Sequence, residues 1–114
     1  MIPYRSFRPV RIVMATALGN AQKRYLRGLA HDLKPVLLVG AKGVTDSLVA
    51  EADGALSHHE LVKVRVVADD RELRDEWIAE LCARTAAALV ARIGHVAVLY
   101  RRNPDRPLIV LPKA

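Results

Sequence analysis

Four apolar residues, Val36-Leu37-Leu38-Val39, run directly into Gly40-Ala41-Lys42-Gly43, and this junction narrows the possible folds more than anything else in the chain. An unbroken apolar run of this length suits a short strand covered on both faces. The glycines then stop the pattern before a helical period opens near Thr45. A strand that turns into a helix needs a second strand to return beside it, and Leu61 to Val67 supplies one. Val62, Val64 and Val66 alternate there with Lys63 and Arg65, as in a strand with one wet face. Strands joined through a helix are usually parallel neighbours.

The flanking segments complete the pattern. Asn20 is a good N-cap for a helix to about His31, with Gln22, Tyr25, Leu26 and Leu29 on one side and Lys23, Arg24 and Arg27 on the other. A second helix is predicted from Thr45 to His58, with Leu48, Val49, Ala52, Ala55 and Leu56 facing the core. Asp69, followed by Glu72 three residues later, has the spacing of a capping box. It opens a third helix with a stripe of Leu73, Trp77, Ile78, Leu81, Cys82 and Thr85, ending near Ala87 or Ala88. Leu89–Ile93 and His95–Tyr100 flank Gly94 as a hairpin, and Leu108–Leu111 is predicted to add an edge strand between two prolines. The order αβαβαββ predicts a single α+β domain, a mixed sheet with helices packed on it.

Charge is distributed unevenly along the chain. Of the 18 Lys+Arg and 12 Asp+Glu in 114 residues, residues 1–43 hold eight of the cations and one acid, Asp32. That segment therefore carries +7, and the rest of the chain −1. Such one-sidedness favours an anionic partner over a merely solvated surface. Residues 1–17, with Arg5, Arg8 and Arg11 among two prolines and no periodicity, are expected to form a basic arm. Those arginines also interrupt the apolar residues before a signal-peptide core can form. With no run long enough for a membrane span and one cysteine, Cys82, unable to form an intrachain disulfide, we expect a soluble, cytoplasmic monomer.

Gly40-Ala41-Lys42-Gly43 has the parts of a phosphate cradle: glycines that let the backbone come close, a helix N-terminus behind them, and the charge of Lys42. The P-loop and dinucleotide fingerprints are both absent. The nearest mechanical analogue is the backbone-clamping G-x-x-G loop of KH domains. His58-His59-Glu60 lacks a third ligand at metal-binding spacing, and no metal or other cofactor is expected. Cys82 reads as a buried, unreactive thiol. Glu72, Glu76 and Glu80 read as solvating charge, and no catalytic set stands out. Only five aromatic residues are present, too few for a protein that grips bases chiefly by stacking.

The stretches Gln22 to His31, Leu33 to Val36, Val39 to Thr45, His58 to Val64 and Gly94 to Arg101 together resemble the CRM domain family, in its stand-alone bacterial YhbY form. The resemblance spans residues 18–112 and implies a four-stranded mixed sheet similar to the C-terminal domain of bacterial translation initiation factor three. It also implies RNA binding and association with precursors of the large ribosomal subunit, with Gly40, Ala41, Lys42 and Gly43 as the RNA-contacting loop and Lys23, Arg24 and Arg27 on the basic helix. Lys34 would extend the cationic track, and Lys63 and Arg65 would continue it if their strand face is open.

The expectation is a non-enzymatic RNA-binding protein that assists large-subunit assembly, with ribosomal RNA as its partner and ribosomal proteins as further candidates. An adaptor acting through the acidic third helix and an RNA-processing enzyme are the alternatives.

Overall fold

A computed structural model of the protein describes residues 17–113. The expected arm, residues 1–17, lies outside this range except for its last residue. The elements are α1 (Asn20–Ala30), β1 (Leu37–Val39), α2 (Asp46–His59), β2 (Leu61–Val66), α3 (Arg71–Thr85), β3 (Ala88–Ile93) and β4 (Val96–Tyr100). The sheet order is β1-β2-β4-β3. β1 and β2 are parallel, with Leu38 opposite Arg65. β4 pairs antiparallel with both β2 and β3, so the hairpin inserts its second strand beside β2.

Strand alternation divides the core in two. Leu37 and Val39 of β1, Val62, Val64 and Val66 of β2, and Leu99 of β4 face α2 and α3, meeting Leu48, Ala52 and Leu56 on one helix and Ile78 and Leu81 on the other. The opposite face of the sheet presents Leu61, Val98 and Tyr100 to Leu26 and Ala30 of α1. The sheet is thus the middle of three layers in a single α+β domain.

Local chemistry sets the helix ends. Thr45 Oγ1 accepts the N–H of Leu48 at 3.1 Å, and Asp70 accepts that of Leu73 at 3.3 Å, so each helix begins with one orphan donor satisfied. Asp70, not Asp69, is the cap of α3. Asn20 is also displaced from its expected role, because Gly19 occupies the cap position of α1 and its N–H donates to Gln22 Oε1 at 3.0 Å. Ala86 takes a left-handed conformation and ends α3 at Thr85.

Two further expectations are corrected. β1 is covered on one face only, and Leu38 is 55% exposed, because α1 lies over β2, β3 and β4 and leaves β1 open. Leu108–Leu111 is not a strand. It runs as a strap across α1's side of the sheet, where Ile109 and Leu111 pack on the second core. The buried carboxylate of Glu60 holds it, accepting the N–H groups of Leu108 and Ile109 through Oε1 and that of Asn103 through Oε2.

Candidate nucleic-acid interface

Helical periodicity sets the geometry of α1. Leu26 and Ala30 point into the core, and Lys23, Arg24 and Arg27 therefore emerge on the solvent side. Arg24 and Arg27 line a cleft of about 560 Å³ that also takes in Lys63, Val98 and Ile93 at the hairpin tip. With Lys23 they line a smaller one of about 240 Å³ toward Val90.

Where α1 stops covering the sheet, a cross-strand row lies open. Leu38 pairs with Arg65, Arg65 with Val96, and Val96 with Ile93, all on α1's side. Leu38 and Ile93 are 55% and 61% exposed, and Arg65 is exposed between them. The apolar run predicts Leu38 as core and the hairpin pattern gives Ile93 only as a strand residue, whereas both stand open. The available signal was Ile93's place beside Gly94, where side chains at a hairpin tip outrun the covering helix. Lys63, one step along the same strand, is half-buried. Its ammonium donates to the carbonyls of His31 at 3.3 Å and Leu33 at 2.9 Å, so it fastens the segment leaving α1. Its charge also lies where the helix dipole is negative.

The Gly40–Gly43 loop is a tight turn closed by the Gly43 N–H donating to the Gly40 carbonyl at 2.9 Å. Gly43 is buried at φ +76, whereas nothing lies within 4 Å of where a Cβ on Gly40 would sit. The two glycines therefore have different reasons to be there: internal packing requires Gly43, and Gly40 faces open space. Ala41 and Lys42 are exposed at the tip. Behind them, the N-terminal pole of α2 is partly satisfied from within. Thr45 caps it, and Asp46 in its first turn pairs with Arg84, which also donates to the Val44 carbonyl at 3.3 Å. The loop's own N–H groups and Lys42 are what it offers a ligand.

The cations of this surface are left unpaired. Among the described residues, Lys23, Arg24, Arg27, Lys34, Lys42 and Arg65 have no acidic partner, as is also true of Arg71, Arg102, Arg106 and Lys113, whereas Arg84 pairs with Asp46 and Glu80, Arg92 with Asp75, and Arg101 with Asp53. Cations left without carboxylates retain their field for an outside anion. The remaining chemistry-bearing residues are structural. Burial pushes the Cys82 thiol up to about 11, which leaves it protonated and a poor nucleophile. Arg74, which no sequence motif marks, is buried with its guanidinium on the carbonyls of Ala68 and Asp69. Among the described residues no three His, Cys, Asp or Glu gather as a metal site would require, and no helix is long and apolar enough to cross a membrane.

Fold and surface together define a small three-layer α+β domain with an unpaired cationic helix, an open sheet row and a glycine turn. The chain belongs to the CRS1/YhbY (CRM) domain family, whose model matches residues 18–101. It is 45% identical over 98 residues to an RNA-binding protein of Haemophilus influenzae, covering 86% of this chain and 98% of that one. It is 42% identical over 88 residues to a probable RNA-binding protein of Pseudomonas aeruginosa, covering 77% of this chain and 85% of the relative. A Staphylococcus aureus protein solved in solution and proposed to bind RNA superposes with a TM-score of 0.74 at 34% identity, covering 84% of this chain and all of that one.

Proposed function

We propose that this protein binds structured RNA, specifically ribosomal RNA in precursors of the large subunit, and assists subunit assembly without catalysing a reaction. The observation that carries the reading is the gathering of Lys23, Arg24 and Arg27 of α1 around two clefts, one of which also takes in Lys63, with no carboxylate pairing them and with Lys34 after the helix, Lys42 on the glycine loop and Arg65 on the open row likewise unpaired. The names of the Haemophilus, Pseudomonas and Staphylococcus proteins support RNA as the ligand.

In this mechanism, phosphates run along α1, and the backbone enters at the Gly40–Gly43 turn, where the absence of a Cβ on Gly40 admits close approach. Lys63 contributes charge from beneath α1. With few rings to stack on, binding reads RNA shape and backbone more than base identity. The adaptor alternative is weakened because Asp75 and Glu80 of α3 are engaged by Arg92 and Arg84.

The test is sedimentation of tagged protein with ribosomal particles, followed by crosslink mapping. Crosslinks from residues 23–27 and 40–43 to RNA of large-subunit precursors are expected. Co-sedimentation that survives RNase digestion of those particles and is lost on charge reversal at Glu72 and Glu76 would replace this reading with the adaptor.

A further inference from the structure

A second cleft on α1's side of the sheet adjoins the phosphate track and shares Lys63 with it. Residues 27 and 29 of a helix project about 160° apart, so Leu29 leaves α1 on the flank away from Arg27. There it meets Leu33, Val36 and Ile109 of the strap around a space of about 380 Å³, within the ~300–1,000 Å³ span of small-ligand sites. Leu29, Leu33 and Val36 are 42%, 41% and 52% exposed, so these walls stand open to solvent.

Three observations choose the occupant. The ionisable groups lining the cleft are Lys34, His59 and Lys63, all bases, and no carboxylate joins them. Its walls are aliphatic, which suits a flat apolar body and not a fully hydrated anion. Lys63 lines this cleft and also the one carrying Arg24 and Arg27, so the two meet beneath the C-terminal turn of α1. An apolar protein side chain would leave the cations without a role, and an acidic peptide would leave the walls without one. A nucleotide satisfies both.

We propose that this cleft takes a single unstacked nucleotide of the bound RNA, its base against Leu29, Leu33 and Val36 and its phosphate toward Lys34 and Lys63. The proposal rests on the RNA-binding reading above and adds to it a preference for RNA with an unpaired loop or bulge over plain duplex. With aliphatic walls and the His31 and Leu33 carbonyls engaged by Lys63, discrimination among the bases is weak.

The experiment compares two RNAs that share one stem, one closed by a loop carrying 2-aminopurine at each position in turn, the other a blunt duplex. Both are titrated against the full chain and against Leu33→Asn and Val36→Thr, changes at exposed positions. Leu33→Asn is expected to weaken looped RNA about tenfold, equivalent to ~1.4 kcal/mol, and Val36→Thr to weaken it in the same direction. Duplex affinity should hold, one 2-aminopurine position should change its emission, and the Leu33 and Val36 methyl NMR signals should move. Equal losses on both RNAs, or methyl signals that stay in place when the looped RNA binds, would overturn the proposal and leave the cleft to a protein side chain. If the unaltered protein binds neither RNA, the RNA-binding reading itself fails.

Discussion

Gly43 sits directly on the ring of Trp77: a Cβ built on the glycine would lie 3.0 Å from the indole Nε1 and Cε2. The contact joins the turn after β1 to the middle of α3, and at φ +76 a side chain would be strained even without the ring. Three residues earlier, Gly40 meets no such constraint. Gly43→Ala should therefore destabilise the domain by about 2 kcal/mol, combining left-handed strain with overpacking. Gly40→Ala should leave the urea midpoint unchanged while weakening RNA binding, because its methyl occupies the space reserved for the ligand. Paired denaturation and binding curves for the two variants check this, and loss of stability in Gly40→Ala would remove that glycine from the interface.

Glu60 holds the strap through three backbone N–H groups. Truncation to alanine leaves those part-buried donors without their charged acceptor, and we expect a loss of about 2 kcal/mol. Glu60→Gln keeps one acceptor oxygen and should fall between. Trypsin should cut faster after Arg102 in Glu60→Ala, since the next residue, Asn103, is one the carboxylate tethers. Unchanged cleavage would show that Ile109 and Leu111 hold the strap by packing alone.

Tyr100 is 1% exposed, and its hydroxyl has no hydrogen-bond partner among the described residues. A buried donor without an acceptor costs about 1–3 kcal/mol. Tyr100→Phe removes that cost while keeping the ring against Leu26 and Ala30. The variant should be as stable as the parent or more so by about 1 kcal/mol, measured by thermal or urea unfolding.

Stability should fall in alkali. Burial raises the Cys82 thiol from 9.0 to about 11, and burial followed by the nearby Glu60 charge raises the Tyr100 phenol. The folded state therefore keeps protons that the unfolded chain releases. For the thiol, the contribution is whole below pH 9 and is lost as pH rises toward 11. Cys82→Ala should flatten part of this decline between pH 9 and 11 in urea titrations. The same protonated thiol should react slowly with iodoacetamide at neutral pH.

Much of this architecture was legible because periodicity reports burial. Val62, Val64 and Val66 alternate as the sheet requires, and Leu48, Ala52 and Leu56 fall on one helical face. Leu38 departs from the expected core position because an apolar run shows what a strand tolerates, not what covers it, and coverage is decided by where α1 crosses. The strap was misread for a related reason: Leu108–Leu111 has strand composition, but its backbone donors are taken by Glu60, 48 and 49 residues away. The basic helix was readable from charge and spacing alone. The apolar cleft at Leu29, Leu33 and Val36 was not, since it is assembled from α1, the following linker, β2 and the strap, segments that only the tertiary fold brings together.

The salt dependence of binding to structured ribosomal RNA tests the cationic face most directly. Lys23→Ala, Arg27→Ala and Lys42→Ala change exposed residues, and combining them should leave the fold intact. Each phosphate contact contributes roughly 0.7 to 0.9 to the slope of log affinity against log salt. The triple variant should therefore bind more weakly and with a slope lower in magnitude by about 2 to 3. Unchanged affinity and slope would contradict the claim that this cationic face holds the RNA.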